Sequence, residues 1–240
     1  MNIQDRAKKL VDAARDKASR PQDFYNETKN DRWIVECVYP QKRNGYFVEA
    51  GACDGKLGSS CYLLEKTRGW KGICIEPNDS FFEQLLKNRP GSFCENVCLA
   101  ESAKAVTYIQ GTEEADPYLG GIQENLQQFK HDSAGILSRG QAIQKQAKTL
   151  ASLLKKHDAP SEIDYAAFDI EGSELRVLET FPFDDYQFSA LSLECDSYIW
   201  DDVTQLLSAN GYREVKNPFN LDRPWERYWL HHTMPLSLGA

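Results

Sequence analysis

GYFVEAGACDGKLGSSCYLLEKTRGWKGICIEPN, residues 45–78, is the stretch on which the reading of the chain turns. Residues 46–50 have the apolar character of a buried strand, 51–58 form a glycine-rich turn, a helix is expected from about Ser59, and 72–76 make a second strand. That order is a βαβ unit. Gly51, Gly55 and Gly58 carry no Cβ, so the backbone can turn sharply there and come close to a ligand. The start of the helix, with Ser59 and Ser60, offers N–H groups to an anionic part of that ligand. Glu76 ends the second strand, where a carboxylate accepts hydrogen bonds from both hydroxyls of a ribose. A nucleotide site is the expected use of the unit.

The turn decides which nucleotide. A dinucleotide site reads G-x-G-x-x-G, its second glycine making room for a pyrophosphate. This chain reads E-A-G-A-C-D-G, with Glu49 before the first glycine and Asp54 after it. Negative charge at the end of the first strand attracts a cation and repels a diphosphate. S-adenosylmethionine has a sulfonium, an ammonium and an adenosine ribose but no phosphate, so it is the expected cofactor.

The chain has 240 residues, 41% of them hydrophobic, enough for one sizeable core. A net charge of −8 argues against a phosphate-tracking groove and so against nucleic acid as substrate. The seven cysteines show no C-x-x-C spacing, so neither a zinc site nor a disulfide framework is expected. No run approaches the ~18 apolar residues of a membrane span, and no apolar stretch follows the N-terminal charges. No membrane association and a reduced, cytoplasmic location are the expectation.

Residues 1–19 set Ile3, Ala7, Leu10, Val11, Ala14 and Ala18 on one helical face, and Pro21 ends that helix. It packs on the domain, on a second subunit to make a homodimer, or over the site as a lid. After the opening unit come a helix over 81–88, a strand over 92–98 and a short strand over 106–110. Asn96 and Val97, near the end of the 92–98 strand, offer adenine a polar side chain and an apolar wall. Residues 111–148 are a polar, glutamine-rich insertion with five glycines. They are either a substrate lid, to which Tyr118, Phe129 and His131 would contribute, or a solvated excursion. Helices over 149–157, 172–180 and 200–210 then alternate with strands over 163–170 and 189–194, and strands over 212–215 and 227–231 close the chain. The alternation predicts an α/β fold, a doubly wound and mainly parallel sheet with an antiparallel C-terminal edge.

VEAGACDG, ICIEPN, TLASLL and IDYAAFDIEGSELRVLETF together resemble the FkbM-type S-adenosylmethionine-dependent methyltransferases. They are similar, in that order, to the family's first motif, its ribose-binding acid, the helix before its signature, and the signature itself, an aspartate followed by an E-G-x-E helix start. The resemblance covers roughly residues 45–195 and departs at Ala151, where the family commonly has aspartate. It implies a class I methyltransferase, Rossmann-like domain over 33–240 behind a helical extension over 1–32. It also implies O-methylation of a small-molecule hydroxyl, on a sugar or a natural-product scaffold. From the turn, the strand ends and the resemblance together, the candidate cofactor residues are Glu49, Gly51, Ala52, Asp54, Gly55, Ser59, Ser60, Glu76, Pro77, Asn78, Asn96, Val97 and Asp169.

Methyl transfer from a sulfonium is an in-line displacement, so acceptor oxygen, methyl carbon and sulfur must be aligned. An alcohol must also lose its proton, to a general base or with help from a metal. In open α/β sheets ligands lie beyond the carboxyl ends of the strands, where this chain places Asp169, Glu171, Glu194 and Asp196. The resemblance gives most weight to Asp169, Glu171 and Glu174 as the catalytic set. Asp169 would orient the methionine amino group or the acceptor, and Glu171 would serve as base or hydroxyl acceptor. Acidic residues in a helix's first turn are also favoured by the dipole and by capping alone. His131, His157, His231 and His232 are alternative bases. No metal ligand is assigned, although Asp169, Glu194 and Asp196 would suit Mg²⁺. A nicotinamide-dependent Rossmann oxidoreductase is the first alternative, and the absent G-x-G-x-x-G counts against it. The second is a catalytically silent methyltransferase-like binding module.

Overall fold

β1 (Tyr46–Ala50) runs through the middle of a seven-stranded sheet, between β2 (Lys71–Ile75) and β8 (Glu162–Phe168), both parallel to it. β3 (Phe93–Glu95) lies outside β2, and β9 (Gln187–Glu194) lies outside β8, again parallel. β11 (Glu226–His231) joins β9 antiparallel and pairs in turn with β10 (Tyr212–Val215) at the edge. The order is therefore β10-β11-β9-β8-β1-β2-β3. The computed structural model describes residues 24–113, 116–128 and 133–235. The helix expected over 1–19, Pro21, Phe129 and His131 lie outside them.

Strand periodicity divides the core in two, because successive side chains point to opposite faces. Val48, Ile73, Ala166 and Leu191 face one side, where α6 (Leu150–Lys156), α7 (Glu174–Glu179) and α8 (Trp200–Ala209) cover them with Leu153, Leu154, Val177, Leu178, Val203 and Leu207. Phe47, Cys74, Tyr165 and Ala190 face the other, under α1 (Asn30–Trp33), α2 (Tyr62–Arg68) and α3 (Asp79–Asn88). Burial of each such aliphatic or aromatic side chain is worth about 1.5–3 kcal/mol. A sheet covered on both faces buries its inner strands at nearly every position, and β8 and β9 are buried from Ile163 to Phe168 and from Phe188 to Leu193.

Two sequence expectations are corrected here. The strand expected over 92–98 is broken at Asn96 and Val97: β3 belongs to the large sheet, and β4 (Cys98–Leu99) joins a second one. That second sheet has the order β4-β7-β5-β6, from β5 (Ala105–Gln110), β6 (Gly120–Ile122) and β7 (Gln141–Lys148), with α4 (Gln123–Leu126) and α5 (Ser133–Arg139) between β6 and β7. The insertion is thus a folded subdomain beginning at Cys98 and built around Val106, Tyr108, Ile122 and Ala147, and not a solvated excursion.

The boundary expected at residue 32 falls inside a helix, because α1 continues through Trp33 into a π-helical turn, Ile34–Val38. This segment is stitched to the opening turn: Asn26 Nδ2 donates to Gly58 O at 2.7 Å, and Gly58 N donates to Tyr25 O at 3.1 Å. It belongs to the core of the domain. All seven cysteines are free. Among the described residues no helix is long and apolar enough to cross a membrane.

Candidate active site

Glu49, on β1, faces the same side of the sheet as Phe47. Its Oε1 accepts from the Ser59 hydroxyl at 2.7 Å and from the N–H groups of Ser60 at 2.7 Å and Cys61 at 3.1 Å. Its Oε2 lies 2.7 Å from Arg89 Nη1. Both side chains are closed off from solvent. The reading of Glu49 as a free charge awaiting a cationic ligand is corrected: Arg89 neutralises it. The helix-start N–H groups are likewise taken by Glu49 and by the Ser59 hydroxyl, and α2 begins only at Tyr62. Asp54 closes the turn by accepting from Lys56 N and Leu57 N.

Gly51 and Gly55 serve different ends. Gly51 has φ +82°, and a Cβ there would overlap the Asp169 carbonyl oxygen, so glycine is required where β1 and β8 end together. Gly55, at φ +77°, has Leu85 and Arg89 of the α3 end against it, so it packs on protein and not on a ligand. Ala52 is buried, its N–H bonded to Ile75 O at 3.1 Å.

Glu76 follows β2 and is 4% exposed. Its Oε2 accepts from Cys53 N at 2.8 Å and its Oε1 from Asn78 N at 2.7 Å, which draws the Gly51 turn and the β2–α3 turn together. Burial pushes its carboxyl up to about 7, against the lowering effect of those two bonds. Asn78 caps α3 by accepting from Ser80 N at 3.0 Å. Asn96 Nδ2 donates to the carbonyls of Glu76 at 3.1 Å and Pro77 at 3.2 Å.

Asp169 follows β8, its N–H bonded to Ala50 O at 3.0 Å and its side chain open to solvent. Glu171 holds a left-handed backbone at φ +53°. For a residue with a Cβ this costs about 1–2 kcal/mol. Glu174 stabilises that turn: its Oε1 accepts from Ile170 N at 2.8 Å and its Oε2 from Gly172 N at 3.0 Å. It is 1% exposed, and burial pushes its carboxyl up to about 7. Glu174 is therefore a scaffold for the loop, which corrects its place in the catalytic set. Asp169, Glu171 and Glu194, the last residue of β9, bring carboxylate oxygens within 4.8 Å of one another, a spacing that would also suit a cation. Glu194 is pushed well above the carboxylate range, first by burial and then by the charges of Asp169 and Glu171. Its buried Oε2 has no hydrogen-bond partner among the described residues. Asp196 is not part of this group; it accepts from Ser197 N at 3.0 Å and caps a short turn.

These strand ends and the inserted sheet line a cleft that opens to solvent. Gly51, Ile75, Pro77, Val97 and Asp169 line it from the large sheet, and Leu99, Tyr108, Gly120 and Ile122 from the insertion. Of the residues expected from the sequence, Gly51, Pro77, Val97 and Asp169 face this space, with Glu76 and Asn96 behind it. The described histidines do not line it: His157 pairs with Glu95, His231 lies beside Thr233, and His232 lies beside Gly211. Tyr118 stacks on Phe81 at 5.3 Å instead of facing the cavity. Ala151 lies in a separate surface depression with Lys155 and Tyr186.

Sequence reasoning missed Arg89, which pairs with Glu49, the cleft-lining Tyr108, Ile122 and Ser173, and Lys145, buried on β7. Only β7 carried a signal, the alternation of Ile143, Lys145 and Ala147 with Gln144, Gln146 and Lys148. An inward lysine masked it.

The groups present suit S-adenosylmethionine. Ile75, Pro77 and Val97 are apolar walls, Glu76 is an acid at the end of β2, and Asp169 is an exposed acid at the end of β8. A sheet of this order, with that turn after its first strand and carboxylates beyond β8 and β9, defines a class I S-adenosylmethionine-dependent methyltransferase. The methyltransferase FkbM domain matches residues 49–214, well over half of the chain, and the protein belongs to that family. S-adenosylmethionine is its cofactor, and the nicotinamide and silent-module alternatives are set aside.

Among solved structures, the chain is similar to a TehB-like SAM-dependent methyltransferase from Corynebacterium glutamicum at 9% identity, with 94% of this chain and 97% of that one covered and a TM-score of 0.44. It is also similar to a methyltransferase from Pyrococcus furiosus, at 16% identity, 95% and 96% coverage and a TM-score of 0.41. Precorrin-6y C5,15-methyltransferase from Geobacter metallireducens is a third, at 8% identity, 90% and 93% coverage and a TM-score of 0.41. No curated protein matches the chain in sequence.

Proposed function

We propose that this methyltransferase acts on a hydroxyl of a small molecule, a sugar or a natural-product scaffold. One observation carries the reading: Asp169, Glu171 and Glu194 converge beside a partly open cleft walled by an inserted sheet. The cofactor, when bound, supplies a methyl carbon already electrophilic on its sulfonium. The protein's share is then alignment and acceptance of a proton.

Glu76 would hold the ribose hydroxyls, since each carboxylate oxygen keeps a lone pair beyond the one given to Cys53 N or Asn78 N. Ile75, Pro77 and Val97 would flank the adenine. Asp169, the most exposed of the three carboxylates, would take the ammonium. Glu171 would accept the hydroxyl proton, presented by a backbone conformation that Glu174 stabilises. Glu194, biased towards its protonated form, lowers the charge the group must carry and leaves Asp169 and Glu171 as its two carboxylates.

The test is product analysis with S-adenosylmethionine and matched acceptors: free and glycosidic sugars, hydroxylated macrocycles, and amines of similar size. Gain of a methyl on hydroxyl acceptors is the expected result. Methylation of amines alone would overturn the reading. Repeating the assay with EDTA separates proton acceptance by a carboxylate, which is indifferent to chelation, from use of the same three carboxylates as cation ligands.

A further inference from the structure

Lys145 lies on β7 of the inserted sheet, paired in register with Val106, two residues from the Tyr108–Ile143 pair at the cavity wall. A lysine facing inward on a strand is costly to desolvate unless its ammonium is partnered. Lys145 is 9% exposed, and its Nζ donates to Asn96 Oδ1 at 2.8 Å and to Asp79 at the start of α3. Neither partner belongs to the insertion. Asn96, with its Oδ1 so engaged, turns its Nδ2 to the Glu76 and Pro77 carbonyls. A continuous polar chain therefore runs from the inserted sheet to the loop that carries Glu76.

We infer that Lys145 is a positioning residue for the cofactor, acting through Asn96 to hold the Glu76–Pro77 loop in register with the inserted sheet. The insertion is then more than an acceptor wall. It fixes one edge of the cofactor site, so the two substrates meet walls that are tied together. The lysine does not touch the reacting atoms, and its charge is spent on Asp79 and Asn96 instead of on the cationic cofactor. The inference rests on the assignment of Asn96 and Glu76 to the cofactor site proposed above.

The experiment is a double-mutant cycle read by titration calorimetry with S-adenosylhomocysteine, using Lys145→Met, Asn96→Ala and the pair. Each single variant should weaken binding by about tenfold, the size of one well-placed hydrogen bond to a charged group. The double variant should bind no more weakly than Asn96→Ala alone, because the lysine acts through the asparagine. In turnover, Lys145→Met should raise KM for S-adenosylmethionine and leave kcat within about twofold. Lys145→Gln, which keeps a donor on a similar stem, serves for the same cycle should the methionine variant not fold. Additive losses, or a kcat that falls with KM unchanged, would overturn the inference. Normal binding by Lys145→Met beside weakened binding by Asn96→Ala would overturn it and leave the site assignment standing. Normal binding by Asn96→Ala would overturn both.

Discussion

Arg89 Nη1 lies 2.7 Å from Glu49 Oε2 beneath the cofactor turn, with Arg89 1% and Glu49 3% exposed. The same guanidinium reaches Glu65 Oε2 through Nε at 2.8 Å, so one buried cation stands between two carboxylates. The motif acid is thereby a structural anchor for residues 59–61, and the cationic end of the cofactor must find its negative charge elsewhere, at Asp169.

Removing one partner of a buried pair leaves an uncompensated charge, at about 3–5 kcal/mol. Arg89→Met is expected to lower folding stability by that order in urea titrations. Adding Glu49→Gln to it should recover part of the loss, since the stranded charge is then gone. A stable Arg89→Met protein would show that water or another cation reaches Glu49.

Glu76 sets a pH dependence. Its folded value, raised to about 7 by burial, exceeds the unfolded one, so its stabilising contribution is complete at acid pH and is lost as pH rises through about 7. Ribose binding runs the other way, because hydroxyl donors favour the carboxylate. Affinity for S-adenosylhomocysteine should therefore rise from about pH 6 to 8 in the native protein and stay flat in Glu76→Gln. Glu76→Ala should weaken binding by about 1.5–3 kcal/mol. Calorimetry across that range checks the slope as well as the size.

Asp169→Asn and Glu171→Gln each remove a charge while keeping the size of the side chain. Both should lower the rate of methyl transfer, by on the order of 10²-fold for the residue that accepts the proton. They should separate in binding: Asp169→Asn loses cofactor affinity as well as rate, and Glu171→Gln keeps affinity and regains rate at high pH. Single-turnover measurements resolve the two. Full activity in Glu171→Gln would leave its strained backbone without a catalytic reason.

Glu226 lies behind the site, its Oε1 accepting from Asn30 Nδ2 at 2.6 Å. Burial, with the nearby charge of Asp169, pushes it up to about 8. As for Glu76, a raised value means stability present at low pH and lost as pH passes through about 8. Glu226→Gln keeps the bond from Asn30 and has no proton to lose. Its melting temperature should fall less than the native protein's at alkaline pH, a gap on the order of 2–4 kcal/mol. Parallel melting curves for the two proteins would refute the buried ionisation.

The sequence was most legible where local pattern and chemistry coincide. Residues 46–76 declare their strands by apolar runs, their turn by Gly51 and their acid by its place after β2, all within one βαβ unit. The order of β8, α7 and β9 was legible for the same reason. Asp169, at a strand end, needed only the rule that open sheets bind ligands there. The insertion was not legible, because its inward positions include Lys145, which reads as a surface residue until Asp79 and Asn96 are seen beside it.

The sequence by itself therefore determined the fold class, the cofactor and the set of acids from which the catalytic ones come, since each is written in residues near one another along the chain. Only the tertiary structure decided what each acid does. Glu49 is neutralised by an arginine 40 residues away, and Glu174 is consumed by the loop it caps, while Glu171 joins Asp169 and Glu194 where Asp196 was expected. The physical reason is that a carboxylate's role depends on its partners and its desolvation, and both are set by segments that meet only when the sheets close.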